Sequence, residues 1–370
     1  MAKAASTRRS VWKIAREALW EGGPGVCHFS ITNACNARCA FCSFAYDRLP
    51  AAARQWVTLA DAREACDILR RNGIRIVHFN GGEPTVHRDL TAMVAHAAQI
   101  GMMPGLDTNG ALLTPRRIDA LADAGLAKVC ISIDAASSVV HDSNRGIPEL
   151  SERIRRANAE LKRRRIPTTA SVTMSRLVDY AALPQHLQAL GFGAVTFSYP
   201  LRTLPSSYLA HRDDSTLVDF TPEELHAAFE AVKELGKRFP VQNPVASIED
   251  MQRHLRGEPE VFGCLAGWKY FYLDWNLQMW RCHHWDRPLC HIRDFDASRR
   301  VRDGCTACMV DCYRDASVMQ HVGVALSDGL QAAARGDIRK AWTHWTDRRN
   351  TVSLSAAIRT GRVWTRLSPD

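Results

Sequence analysis

Six short β-rich runs recur along the first two hundred residues, and each of the first five is followed by a stretch with helical spacing. The runs are VCHFSIT (26–32), IRIVHFN (74–80), MPGLDTNG (103–110), KVCISIDA (128–135), TTASVTM (168–174) and AVTFSYP (194–200). Helical patterns occupy 59–72, 87–100, 115–124, 149–165 and 182–190 between them. Parallel strands need a long crossover, usually a helix, so this order predicts βαβ units around a parallel sheet. The runs read as apolar on both faces, as in a sheet covered by helices on each side. Such sheets carry their active sites at the carboxyl ends of the strands, and the chemically interesting residues fall at those ends.

Beyond the sixth run, a helix is expected at 222–238. From residue 260 Cys, Trp and His become dense, and KYFYLDWNLQMWRC (269–282) reads as a hairpin. Residues 313–370 read as polar helix with Trp342, Trp345 and Trp364. Hydrophobic residues at 46% and charged residues at 24% are ordinary for a globular chain and exclude a wholly disordered, collagenous or coiled-coil protein. The net charge of +9 favours anionic partners weakly, but the basic residues are scattered and do not point to nucleic acid. No apolar run reaches the roughly 18 residues of a membrane span, and the basic N-terminus lacks the apolar core of a secretory signal. A cytoplasmic protein is expected. Val11, Ile14, Ala18 and Leu19 share one helical face among basic residues. This reads as a surface helix packed on the main domain, or as a peripheral contact with an anionic membrane.

Cys35, Cys39 and Cys42 follow the first run in the sequence CNARCAFC. Three thiolates this close can face one point only if the chain curls into a loop, and such a set suits zinc or an iron–sulfur cluster. A closed zinc site wants a fourth ligand, for which His28 is a candidate. A chain of 370 residues buries a core without disulfides, so its 12 cysteines are read as metal-binding or catalytic. The C-x3-C-x2-C spacing resembles the signature of the radical S-adenosylmethionine (SAM) superfamily. The resemblance implies a [4Fe–4S] cluster on Cys35, Cys39 and Cys42, with one iron open to SAM. It further implies reductive cleavage of SAM to a 5′-deoxyadenosyl radical and a flavodoxin- or ferredoxin-type electron donor. It carries Phe41 to the adenine and Gly81-Gly82-Glu83 to the SAM ammonium, the glycines letting the backbone approach a ligand. It carries Ser132 and Asp134 to the SAM ribose or carboxylate, Arg145 to the carboxylate, and Asn109 to the same strand-end site. For these last four the competing reading is an ordinary turn or cap residue. The implied fold is an α/β partial (β/α)6 barrel, in accord with the six runs.

Cys264, Cys282, Cys290, Cys305, Cys308 and Cys312 lie in the last third. C-x17-C around the hairpin, then C-x2-C-x3-C, resembles the cysteine-rich SPASM and twitch extensions of radical SAM enzymes. Six cysteines cannot fill two fully ligated clusters. One auxiliary [4Fe–4S] cluster is therefore expected on Cys264, Cys282, Cys305 and Cys308, with Cys312 competing for one place and zinc as the alternative. Cys290 is left as a structural thiol or a hydrogen-atom donor to substrate. Cys27, Cys66 and Cys130 read as buried small hydrophobes. Tyr46, Tyr199, Arg281 and His283 are pocket candidates by position. The expected division is an N-terminal helix (1–25), the barrel (26–240), the auxiliary domain (260–320) and a helical segment (321–370).

The single-cluster pattern resembles enzymes that oxidise or epimerise sugars and aminocyclitols, so a small-molecule substrate is expected. CTACMVDCYRDASVM (305–319) also resembles adenosylhopane synthase-type proteins, which makes a lipid an equal expectation. A ribosomal peptide stands behind both, because only about 25 residues precede the first run and leave little room for a peptide-recognition domain. The alternative from another class is a zinc-binding nucleic-acid partner, which would be colourless and free of iron.

Overall fold

The computed structural model describes residues 19–200, 202, 204–208 and 214–367. The expected N-terminal helix lies outside the described residues, apart from one helical turn at 19–21. Six parallel strands pair in chain order: β1 (Gly25–Thr32), β2 (Ile74–Gly81), β3 (Met103–Thr108), β4 (Lys128–Ile133), β5 (Thr168–Thr173) and β6 (Val195–Ser198). The crossovers carry α1 (Leu59–Arg71), α2 (Leu90–Gln99), α3 (Pro115–Asp123), α4 (Ser138–Arg145), α5 (Leu150–Arg163) and α6 (Leu183–Ala189). This is the expected partial barrel.

Local chemistry explains the helix starts. Thr58 and Thr114 each accept a hydrogen bond from a backbone N–H of the first turn, and Pro115 occupies the first helical position of α3. In α5 the residues Leu150, Ile154, Ala157 and Leu161 recur at helical spacing and are buried. Burying a Leu or Ile side chain contributes about 1.5–3 kcal/mol, so this stripe seats the helix on the sheet.

The sheet does not end at β1. β7 (Tyr270–Leu273) lies parallel beside it, with Tyr272 opposite His28. Antiparallel β8 (Gln278–Trp280) and β9 (Cys290–His291) follow, giving the order β6-β5-β4-β3-β2-β1-β7-β8-β9. The predicted hairpin is therefore built onto the barrel's own sheet. That places the second cysteine group next to the first strand. The remaining helices are α7 (Pro222–Leu235), α8 (Val245–Leu255), α9 (Asp311–Ala334), α10 (Ile338–Trp345) and α11 (Arg349–Leu367). Among the described residues no helix is long and apolar enough to cross a membrane.

The strands are not apolar on both faces. Phe29, Ile31, Val77, Phe79, Leu106, Val129, Ile131 and Val172 point one way, toward the helices, and are fully buried. Their neighbours in sequence are His28, Ser30, His78, Asn80, Asp107, Lys128, Cys130, Ser132, Ser171 and Thr173. Because side chains alternate along a strand, these line the opposite, inner face. The inner face of the sheet is thus polar while its outer face carries the core. Cys130 belongs to this inner face, half-buried beside Asp107, and is not a core thiol.

Candidate active site

The loop after β1 carries Cys35, Cys39 and Cys42. Its start is pinned by Thr32, whose hydroxyl accepts from the Ala34 amide (3.0 Å) and donates to the Gln55 carbonyl (2.7 Å). The Cys42 amide donates to the Cys39 carbonyl (3.1 Å), and the Tyr46 amide donates to the Ala37 carbonyl (2.7 Å). Arg48 then donates through Nη1 to the carbonyls of both Cys39 and Cys42 (2.7 Å each). Sequence reasoning missed Arg48, because an Arg shortly after a cysteine carries no distinctive signal.

The Gly81-Gly82 pair has a definite steric duty. A Cβ on Gly81, which sits at φ 128°, would lie 2.1 Å from the Thr32 carbonyl oxygen. One on Gly82 would lie 2.2 Å from the Ala34 oxygen. The amides of Gly82 and Glu83 donate to those same two carbonyls (2.9 and 2.8 Å). What approaches these glycines closely is the cysteine loop itself.

Glu83 is buried. One carboxylate oxygen accepts from the Thr85 amide (3.0 Å), the Thr85 hydroxyl (2.5 Å) and the Thr108 hydroxyl (2.6 Å), and the other accepts from the Asn109 amide (2.7 Å). A carboxylate offers about four lone-pair sites, and these donors match that number. Glu83 therefore ties the end of β2 to the end of β3. Asn109 extends the tie, donating to the Asn36 side chain (2.8 Å) in the cysteine loop.

Asp134 and Arg145 form a second brace. Both are buried. Arg145 Nε and Nη2 donate to the two Asp134 oxygens (2.7 and 2.5 Å), a bidentate pair, and Asn144 adds a third donor (2.7 Å). The Arg145 carbonyl accepts from the Arg38 amide (2.8 Å), so the end of α4 also holds the cysteine loop. The Arg145 guanidinium lies near enough to Cys39 and Cys35 to favour their thiolates. Phe41 is buried against the core, and Ser132 sits on the inner face of β4.

The donor set fits an iron–sulfur cluster. Burial, and then the Glu83 carboxylate, push the Cys35 thiol up to about 12, and burial raises Cys39 and Cys42 as well. Three sulfurs held dry in this way need a bound cation to exist as thiolates. Three cysteines in one loop leave a closed four-ligand zinc site one ligand short and suit a [4Fe–4S] cluster with an open iron.

The second cysteine group is arranged likewise. Cys264, Cys282, Cys305 and Cys308 line a cavity of about 440 Å³ together with Arg281, His284 and Trp285. The Cys264 amide donates to the Cys305 carbonyl (2.8 Å), which joins the two halves of the group. Arg281 is a wall of this cavity: it is buried, ion-paired with Asp303 and lies over Trp285, 4.6 Å from the ring centre. Cys312 is close enough for Cys264 and Cys282 to raise its thiol, but burial is the larger cause and it does not line the cavity. Cys290 stands apart on β9, paired with Met279, among Asp294, Asp296 and Arg299.

Between the two cysteine groups lies the polar inner face. His78 Nδ1 is 3.3 Å from Asp107, and His28 is 4.0 Å from it. Burial and the facing imidazole lower His28 to about 4, so both rings are neutral near pH 7. Lys128 acts on all three groups and opposes a cation there, so the trio reads as hydrogen-bonding lining. His283 is buried, stacks on Tyr208 (4.0 Å between ring centres), and neither ring nitrogen has a protein partner. The Tyr313 ring lies 5.3 Å from it, and its hydroxyl is also unpartnered. Unpaired buried polar atoms are costly, so these groups call for a water or a polar ligand as partner. Of the other positional candidates, Tyr199 stacks on Phe229, while Tyr46 is exposed and packs under Arg54.

Residues 29–188 match the family model described as the radical SAM superfamily. A PqqA peptide cyclase of Rhodopseudomonas palustris is 36% identical over 112 residues, 30% of this chain and 29% of the relative. An AdoMet-dependent heme synthase of Methanosarcina barkeri is 29% identical over 153 residues, 41% of this chain and 43% of the relative. The chain thus covers less than half the length of either. The solved structure titled native anSMEcpe with bound AdoMet superposes with a TM-score of 0.55 at 13% identity, over 90% of this chain and 100% of that one, which shows the fold. Residues 29–188 thus carry a radical SAM domain, a superfamily whose cofactors are SAM and a [4Fe–4S] cluster, and the last third of the chain adds a second cysteine-lined site.

Proposed function

We propose that this protein is a radical SAM enzyme that modifies a peptide. Cys35, Cys39 and Cys42 hold the catalytic cluster, and Cys264, Cys282, Cys305 and Cys308 hold an auxiliary one. The observation that carries the reading is the three-cysteine loop at the end of β1 together with a second set of four cysteines that line one cavity. Bound SAM and the cluster supply a one-electron cleavage of the sulfonium and with it a hydrogen-atom acceptor. The chain's own residues do the rest. Arg145, fixed by Asp134, places a guanidinium at the thiols. Glu83 and the Thr108–Asn109 turn hold the strand ends at which SAM docks. The inner face, from Ser30 and His28 across to Ser171 and Thr173, offers hydroxyl and neutral imidazole groups together with Asp107 and Lys128 to a substrate lying along it.

A peptide suits that lining, because each residue brings one N–H and one C=O that must be paired when water is excluded. Kinship over 112 residues with a peptide cyclase supports the same substrate class more directly than it supports the sugar, aminocyclitol or lipid expectations. The test is anaerobic reconstitution with dithionite and SAM, offering short peptides encoded beside the gene, aminocyclitols and polyprenoid lipids in parallel. One 5′-deoxyadenosine released per peptide that loses two hydrogens is expected. Turnover that couples only to a small molecule or a lipid would overturn the peptide reading.

A further inference from the structure

The face of α10 turned away from the barrel is apolar and cationic together. Ile338, Trp342 and Trp345 recur at i, i+4 and i+7, which puts them on one stripe. Ile338 is 63% exposed, Trp342 65% and Trp345 37%. One edge of this stripe is fastened down: Ala341, beside Trp345 on the helix, is fully buried, and the Trp345 indole lies over Gly329 of α9, where a Cβ would come within 2.1 Å of Nε1. Ile338 and Trp342, on the other edge, are left outward by this packing. The next helix also leaves Val352, Leu354 and Ile358 exposed.

Charge surrounds the stripe with one dominant sign. Arg335, Arg339, Lys340 and Arg348 are exposed, and none makes an ion pair among the described residues. The carboxylates of the segment are occupied: Asp337 caps α10 by accepting from the Lys340 amide (2.9 Å), and Asp347 is bound by Arg349 (2.6 Å). We propose that α10 docks this protein on an anionic phospholipid surface, with Ile338 and Trp342 entering the headgroup–acyl boundary and the exposed cations of the segment meeting the lipid phosphates, Arg339 beside Trp342 and Lys340 from the far side of the helix. Trp is favoured at that boundary, and basic residues near an anionic bilayer each add to the attraction. A second copy of the chain fits less well. A stripe of three side chains falls short of the roughly 1,000 Å² a stable dimer needs, and a two-fold contact would face cations with cations. The surface is independent of the reaction assigned above.

The experiment is co-sedimentation of the full-length, cluster-loaded protein with vesicles of phosphatidylcholine alone or with a third phosphatidylglycerol. Binding to the anionic vesicles only is expected, weakened in high salt because exposed charges are screened. Ile338→Ser/Trp342→Ser and, separately, Arg339→Glu/Lys340→Glu are each expected to weaken partitioning about tenfold or more, with melting temperature and iron content unchanged. Equal binding to both vesicle types, no binding, or binding that survives both variants would overturn the proposal. So would a dimer in solution that the Ile338→Ser/Trp342→Ser variant dissolves.

Discussion

Glu83→Gln separates two roles for the Glu of the Gly-Gly-Glu turn. One Glu83 oxygen serves Thr85 and Thr108, and the other serves the Asn109 amide. In Gln one of those oxygens becomes an NH2. If the NH2 faces Asn109, a buried backbone N–H meets another donor; if the amide flips, the Thr85 N–H does. The hydroxyls of Thr85 and Thr108 can rotate, but a backbone N–H cannot. Leaving one buried donor unpaired costs about 1–3 kcal/mol, and the remaining bonds fall from charge-assisted to neutral strength, about 1 kcal/mol more for each. A total of about 4–6 kcal/mol is expected. At about 2–4 °C per kcal/mol, the helix circular-dichroism melt should drop by roughly 15 °C. The melt is recorded anaerobically and without SAM. A variant that melts like the parent but binds SAM poorly would refute the bracing role and leave Glu83 as a ligand contact alone.

Three further outcomes are expected. Gly82→Ala places a Cβ 2.2 Å from the Ala34 carbonyl oxygen, so the cysteine loop must shift; iron analysis should show loss of about one cluster, and full iron would contradict the packing. Cys264→Ala should also lose about one cluster while Cys290→Ala loses none, because only Cys264 lines the second cavity; equal iron in all three proteins would remove the auxiliary site. His28 has its folded pKa lowered to about 4 by burial, so its neutral form stabilises the fold fully above the unfolded value near 6.5. Stability should decline as pH falls from about 6.5 to about 4, by about 3 kcal/mol from this residue. Urea midpoints at pH 7 and pH 4.5 should converge in His28→Gln relative to the parent; an unchanged difference would exclude the ring as its source.

Much of the barrel was legible because its signals are local. β-rich runs and helical spacing each depend on neighbours in sequence, and the six strands and the five helices read between them lie where those patterns put them. The three-cysteine loop was legible for the same reason: its spacing needs only one turn of chain. The polarity of the inner face was present in the sequence too, as the alternation of His28 with Phe29 and Cys130 with Ile131, but it reads correctly only when one side of the sheet is known to face a cavity. Two elements were not anticipated. α4 is short and largely polar, and α8 has no start signal stronger than a proline.

The sequence by itself determined the chemistry available to this protein: three thiols in a loop, a second set of thiols in the last third, and a βα scaffold to hold them. The tertiary structure alone decided how they are related. Glu83 meets Thr108 and Asn109 across about 25 residues, Arg145 meets the cysteine loop across more than a hundred, and β7 joins β1 from the far end of the chain. Such contacts depend on strand register and burial, which are settled by the packing of the whole sheet and by no local pattern. The same packing gives Gly81, Gly82 and Glu83 a part in holding the cysteine loop in place, beside the SAM contact that the sequence suggests.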